Sequence, residues 1–240
     1  MAAEVPVALV YNGVSHAVML ATPRDIEDFA LGFSLSEGIL RDPGELYSIE
    51  VERLEAGIEA QLSIAAERMM ELKARRRSLA GRTGCGLCGA ESLAHAARTP
   101  GRILPGGGAA SASAIHRAMD ELAAEQVLHR ETGATHAAGW ADWEGRLLLA
   151  REDVGRHNAL DKLIGAMAQR QLSSADGFAV ITSRASSEMV QKAASFGIPL
   201  LAAMSAPTDL AVRLAADCGL TLIGFVRGSS HTVYAGTTAA

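Results

Sequence analysis

The chain predicts a mixed α/β fold whose C-terminal half is a largely parallel sheet with helices on both faces. Three observations lead there. From residue 136 onward, short buried runs such as Phe178–Thr182, Pro199–Met204 and Leu220–Val226 alternate with stretches of helical period, the signature of βαβ units. Of 240 residues, 49% are hydrophobic and 20% charged, which suits a packed core and excludes a disordered or collagen-like chain. Pro100–Gly108 is dense in Pro and Gly and separates the regular half from a less regular first hundred residues. One or two domains fit this length. The reading gives an α+β domain over residues 1–104, ending in a cysteine-bearing loop and linker, and an α/β domain over residues 110–240.

Taken in order, Val7–Val10 and Ser15–Leu20 flank Asn12-Gly13, a dipeptide that favours the left-handed backbone of a tight hairpin. Thr22-Pro23 reads as a helix start with Thr as N-cap and Pro in the first turn. Ile26, Phe29, Ala30 and Phe33 then give one apolar face. Glu50–Ile64 alternates loosely, as strand does, and Ala65–Leu79 is helical with a basic end at Lys73, Arg75, Arg76 and Arg77. Ala90–Arg98 reads as a short helix, and Ser111–Arg130 as one long amphipathic helix. His136–Asp142 and Arg146–Ala150 are strands joined at Glu144-Gly145. Helices follow through Leu160–Met167, Met189–Ala194 and Leu210–Cys218, with Leu220–Val226 closing the series.

Composition removes several function classes. Charge is 22 − 27 = −5 and aromatics are 4%, so neither a basic nucleic-acid surface nor a set of base-stacking rings is expected. No apolar run approaches the ~18 residues of a membrane span, and the first residues lack a secretory pattern. A cytoplasmic protein is therefore expected, binding neither nucleic acid nor membrane. Three cysteines do not make a disulfide framework.

Loops beyond the C-terminal ends of α/β strands are where ligands bind in open sheets. Here they hold Arg151–Asn158, Thr182–Ser187, Ser205–Asp209 and Arg227–Ser230. Hydroxyls, glycines and guanidinium groups of this kind meet phosphate, and Arg151, Arg156 and Arg184 are the strongest anion candidates. Asp153, His157 and Asp161 stand at helical spacing, fit either to orient a ligand or to serve as a cap with a His157–Asp161 pair.

Gly84-Cys85-Gly86-Leu87-Cys88-Gly89 admits three chemistries. Structural zinc wants four ligands; only Cys218 remains, on an apolar helix face that predicts a core position, and no two histidines show ligand spacing, so no metal is expected. A redox dithiol normally follows a strand and carries fewer glycines. A nucleophilic thiolate on a pliant loop is the third, helped by Arg82 and the basic run.

Those residues, with Thr135-His136-Ala137-Ala138, the block Arg151–Lys162, Thr182–Ser186, Ser205–Thr208 and Thr221–Phe225, closely resemble the FdhD family of sulfur carriers for formate dehydrogenase, over nearly the whole chain. The resemblance implies a cytidine-deaminase-like three-layer αβα domain with a smaller N-terminal α+β domain, assembled as a homodimer. It implies a sulfurtransferase: sulfur arrives from a cysteine desulfurase as a persulfide on Cys85, with Cys88 as its partner. The sulfur then passes to the molybdenum cofactor, in its bis-molybdopterin guanine dinucleotide form, for the formate dehydrogenase catalytic subunit. Cofactor contacts map onto Phe225, Val226, Arg227, Gly228, Ser229 and Ser230, joined by Arg151, Arg156, Thr182, Ser183, Arg184 and Ser205, and a guanine nucleotide such as GDP is expected to mimic the ligand. A zinc deaminase reading fails on residues, since His136-Ala137-Ala138 lacks the glutamate of H-x-E and no proline precedes Cys85. A cofactor-holding chaperone and a thiol oxidoreductase remain as alternatives.

Overall fold

Asn12 and Gly13 adopt φ values of 47° and 77°, as a two-residue hairpin with both central residues left-handed requires. They join β1 (Val5–Tyr11) to β2 (Val14–Ala21). The Asn12 side chain also accepts from Ile64 N–H and donates to Ile64 C=O, imitating one more backbone pair against β4 (Gly57–Ile64). The computed structural model describes residues 1–80, 101, 103 and 108–239. The cysteine loop and the short helix expected over 90–98 lie outside these residues.

Two sheets organise the chain. The first has the order β2-β1-β4-β3, with β3 spanning Leu46–Leu54. The single loose strand expected over 50–64 is thus a β3–β4 hairpin. The second has the order β10-β9-β8-β7-β5-β6: β5 His136–Asp142, β6 Leu147–Asp153, β7 Gly177–Ile181, β8 Leu200–Ala203, β9 Thr221–Arg227 and β10 Ser230–Ala235. It is mixed rather than largely parallel. Parallel pairing is confined to β7–β8 and β8–β9, each joined by a helical crossover. Strand β6, linked to β7 by the helix over Arg156–Gln169, runs in the same direction but is separated from it by β5. Strand β5 is antiparallel to both β6 and β7. The edge strand β10 gives no buried run to detect, since most of it is exposed.

Helices are α1 (Ile26–Ser36), α2 (Ala66–Ala80), α3 (Ala112–Glu125), α4 (Val127–Thr132), α5 (Arg156–Gln169), α6 (Ser187–Ser195) and α7 (Asp209–Cys218). None is long and apolar enough to cross a membrane, among the described residues. Alternate residues of β7 separate the layers: Ala179 and Ile181 join the core shared with α1, α5, α6, α7 and the first sheet, whereas Phe178 and Val180 face α3. Helix α1 is therefore enclosed on nearly all sides, well beyond the one apolar face its sequence suggested.

Two boundaries depart from the sequence reading. Helix α1 starts at Ile26 with Asp25 left-handed (φ 52°) at its N-cap; Thr22 caps nothing and instead accepts from Val154 N–H. The helix expected over 111–130 breaks at Gln126 (ψ 73°). There Glu152 of β6 supplies a distant cap, its carboxylate accepting from Leu128 N–H (2.7 Å), His129 N–H (2.8 Å) and the Thr135 hydroxyl (3.0 Å). Glu152→Ala is expected to cost about 1–2 kcal/mol, as loss of a helix cap does, read as a lower urea midpoint at unchanged slope.

Candidate functional site

Strand register decides which loops meet. His136 pairs with Asp153 across β5–β6, and Ala138 with Ile181 across β5–β7. The start of β5, the end of β6 and the ends of β7, β8 and β9 thus share one edge of the second sheet, and the four loops singled out in the sequence converge there.

The loops after β7 and β8 are built alike. Ser183 and Ser205, Ala185 and Pro207, and Ser186 and Thr208 each stand 22 positions apart in sequence. Ala185 and Pro207 form a parallel bridge, and Thr208 N–H donates to Ala185 C=O (3.0 Å). Thr208 caps α7 by accepting from Ala211 N–H. Its counterpart Ser186 caps nothing; its Oγ is buried without a hydrogen-bond partner. The start of α5 is similarly open, with Gly155 at its N-cap.

These two helix starts are adjacent, since His157 Nε2 lies 2.7 Å from Glu188 Oε2, short but off the hydrogen-bonding direction. Arg156 Nε is also buried without a hydrogen-bond partner. Burial, then the Arg156 and His129 charges, hold His136 below the usual imidazole pKa. Burial likewise lowers His157, with Arg156 and Lys192 adding to it and Glu188 opposing. Positive helix ends, an unspent guanidinium N–H and an unspent hydroxyl make this edge receptive to an anion. Sequence reasoning left His136 and Glu188 out of the site and held Ser186 only as a member of the Thr182–Ser187 loop; its missing partner is what sets it apart.

The expected ligand residues do not all gather here. Arg151 turns away, bonded to Asp28 Oδ2 at 2.7 Å with Asp25 3.9 Å off, so its guanidinium is already neutralised. Thr182 Oγ1 accepts from Ala137 N–H. Ser183 is buried and donates to Arg184 C=O, while Arg184 itself is exposed. Ser205 C=O accepts from Phe225 N–H (3.2 Å). Phe225 stands at φ 54°, 43% exposed, with its ring 6.5 Å from that of Tyr234. Val226 points the other way, into the core against α3. Arg227 Nε donates to Met204 C=O, and Ser230 Oγ to Arg227 C=O. Gly228 and Ser229 form the open turn. Cys85 and Cys88 lie outside the described residues; Cys218 is fully buried and free, as its apolar face predicted.

The polar trio separates into three attachments, and the His157–Asp161 pair does not form. Asp153 meets Lys162 Nζ at 2.7 Å, both fully buried. Asp161 meets Lys192 Nζ at 3.0 Å and accepts from Ser36 Oγ at 2.6 Å. Lys192 also contacts Glu37 Oε1 at 2.7 Å. With one ammonium between two carboxylates in a buried place, burial pushes the Asp161 carboxyl up to about 6 against the pull of Lys192.

Comparison with known proteins agrees with this fold. The family model described as FdhD/NarQ matches residues 2–240. The chain is 58% identical to the sulfur carrier protein FdhD of Variovorax paradoxus over 98% of this chain and 84% of that one. It is 57% identical to the like-named protein of Cupriavidus necator, over 98% and 81%. The crystal structure of a protein assigned as a formate dehydrogenase accessory protein from Desulfotalea psychrophila superposes with a TM-score of 0.78 at 24% identity, covering 97% of this chain and 87% of that one. Sequence and fold together place the chain in the FdhD/NarQ family.

Proposed function

We propose that this protein is a sulfur carrier that loads Cys85 with a persulfide sulfur and delivers it to the molybdenum cofactor of a formate dehydrogenase. The observation that carries the reading is 54–58% identity, across 98% of the chain, to proteins named as sulfur carriers. Cysteine accessibility supports the choice of residue. The chain has three cysteines; Cys218 is sealed in the core and burial raises its thiol pKa, which leaves Cys85 and Cys88 for exchange chemistry.

The loading step is a thiolate displacement. Cys85 thiolate attacks the terminal sulfur of a persulfide on a cysteine desulfurase; the S–S bond there breaks, the desulfurase cysteine leaves as thiolate, and Cys85 becomes the persulfide. Release follows the same logic. Cys88 thiolate attacks the inner sulfur of Cys85, a Cys85–Cys88 disulfide forms, and hydrosulfide departs toward molybdenum. The two electrons come from the cysteine pair, and a cellular dithiol restores it.

The sheet edge is the cofactor's seat in this reading. A bis-molybdopterin guanine dinucleotide carries pyrophosphate, and the buried Arg156 Nε and Ser186 Oγ are donors such a group satisfies. Phe225 offers its exposed ring to a guanine face. A cytidine-deaminase-like arrangement and a homodimer belong to the same proposal. If the protein only held the cofactor, its cysteines would be dispensable.

Intact-mass measurement after incubation with a cysteine desulfurase and cysteine tests the reading. The expected gain is one sulfur, about 32 Da, removed by dithiothreitol through thiol exchange and absent in Cys85→Ala. Cys88→Ala is expected to load but to release no hydrosulfide. Full activation of formate dehydrogenase by Cys85→Ala would overturn the carrier role.

A further inference from the structure

His116 on α3 and His231 on β10 meet outside the site described above. Their facing nitrogens, His116 Nε2 and His231 Nδ1, are 3.0 Å apart, with ring centroids 5.0 Å apart at 61°. Both residues are half-buried. We propose that this pair is a two-imidazole binding site for a borderline divalent ion such as Zn2+ or Ni2+.

At 3.0 Å only one proton fits between the rings, so one imidazole donates and the other presents its lone pair. Moving that proton to the donor's outer nitrogen leaves two lone pairs converging, with no net proton released. Two cis nitrogens on an ion at ~2.0–2.1 Å are roughly 2.9–3.4 Å apart, so the observed spacing accepts an ion without backbone movement. Neutral imidazole is the ligating form. Imidazole favours Zn2+, Cu2+ and Ni2+ over Mg2+ and Ca2+. No cluster of three His, Cys, Asp or Glu residues surrounds the pair among the described residues, so water completes the sphere and binding is of moderate strength. The ion would clip α3 to the edge hairpin beside the Arg227–Ser230 turn. This inference stands whether or not that turn holds a cofactor.

The test is Ni2+ titration by calorimetry on the full chain carrying Cys85→Ser and Cys88→Ser, which removes competing thiols, together with thermal unfolding. One Ni2+ per chain is expected, with a raised midpoint because the ion binds only the folded state. His116→Gln and His231→Gln should each abolish both effects, His129→Gln should keep them, and Mg2+ should give neither. Imidazole NMR signals of the unsubstituted histidines provide a second readout, with His116 and His231 broadening first as paramagnetic Ni2+ is added. Absence of Ni2+ binding, binding that survives both His116→Gln and His231→Gln, or broadening at other histidines first would each overturn the site.

Discussion

Gly165→Ala is expected to destabilise the protein by about 3 kcal/mol or more, and Gly165→Val to leave little folded chain. In an exposed helix the first change would stabilise, by about 0.5–1 kcal/mol, because alanine is the better helix former. The sign reverses here because of what lies opposite. A Cβ on Gly165 would overlap the carbonyl oxygen of Asp28 and sit 2.7 Å from its carbonyl carbon. A Cβ on Gly32 would overlap the carbonyl oxygen of Asp161 and sit 2.7 Å from Gly165 N. Each glycine of α1 and α5 thus receives the backbone of the other helix, and backbone cannot swing aside as a flexible side chain does. Both helices lie inside the core common to the two sheets, so parting them opens cavities on either side. Urea unfolding followed by far-ultraviolet dichroism measures the loss. A Gly165→Ala midpoint equal to the parent's would mean that the helices have room to spare.

Neither glycine announces this in sequence, and the reason marks the boundary of what can be read there. Asn12-Gly13 was legible because its turn preference is local, and β5 was found at its observed limits because a buried run ending at Glu144-Gly145 is local too. The Gly32–Gly165 crossing depends on residues 133 positions apart, and the attachments of Arg151 to Asp28 and of Thr22 to Val154 span 123 and 132. Arg151 looked like an anion ligand by type and place, yet its partner is a carboxylate on α1. The convergence of loops at one edge was legible, because strand–helix alternation alone brings loop ends together; the antiparallel β5 and the exposed β10 were not, because pairing direction and edge position are tertiary facts. The persulfide and cofactor assignments came from family resemblance, since a glycine-flanked C-x-x-C alone leaves three chemistries open.

Asp153→Ala carries the second large effect, about 3–5 kcal/mol, as for breaking a buried ion pair by removing one partner. Asp153 Oδ2 accepts from Thr22 N–H (2.9 Å) and faces Lys162 Nζ, while Oδ1 accepts from Gly155 N–H (2.8 Å) and Asn158 Nδ2 (3.0 Å). Asn158 and Lys162 also donate to Leu20 C=O and Thr22 C=O. One carboxylate therefore fastens the end of β2 to the start of α5. Its removal strands a fully buried ammonium with one carbonyl and frees three further donors. Lys162→Met is expected to cost less, because Asp153 keeps its three N–H donors and the methionine fills the vacated stem. That asymmetry separates a structural weld from a ligand-binding carboxylate, which would show its loss in cofactor affinity at unchanged stability. In the weld, stability falls first, and Arg156 and His157 are displaced only because the helix start that carries them has lost its anchor. Equal urea midpoints for Asp153→Ala and the parent, with weakened GDP binding, would return Asp153 to the ligand site.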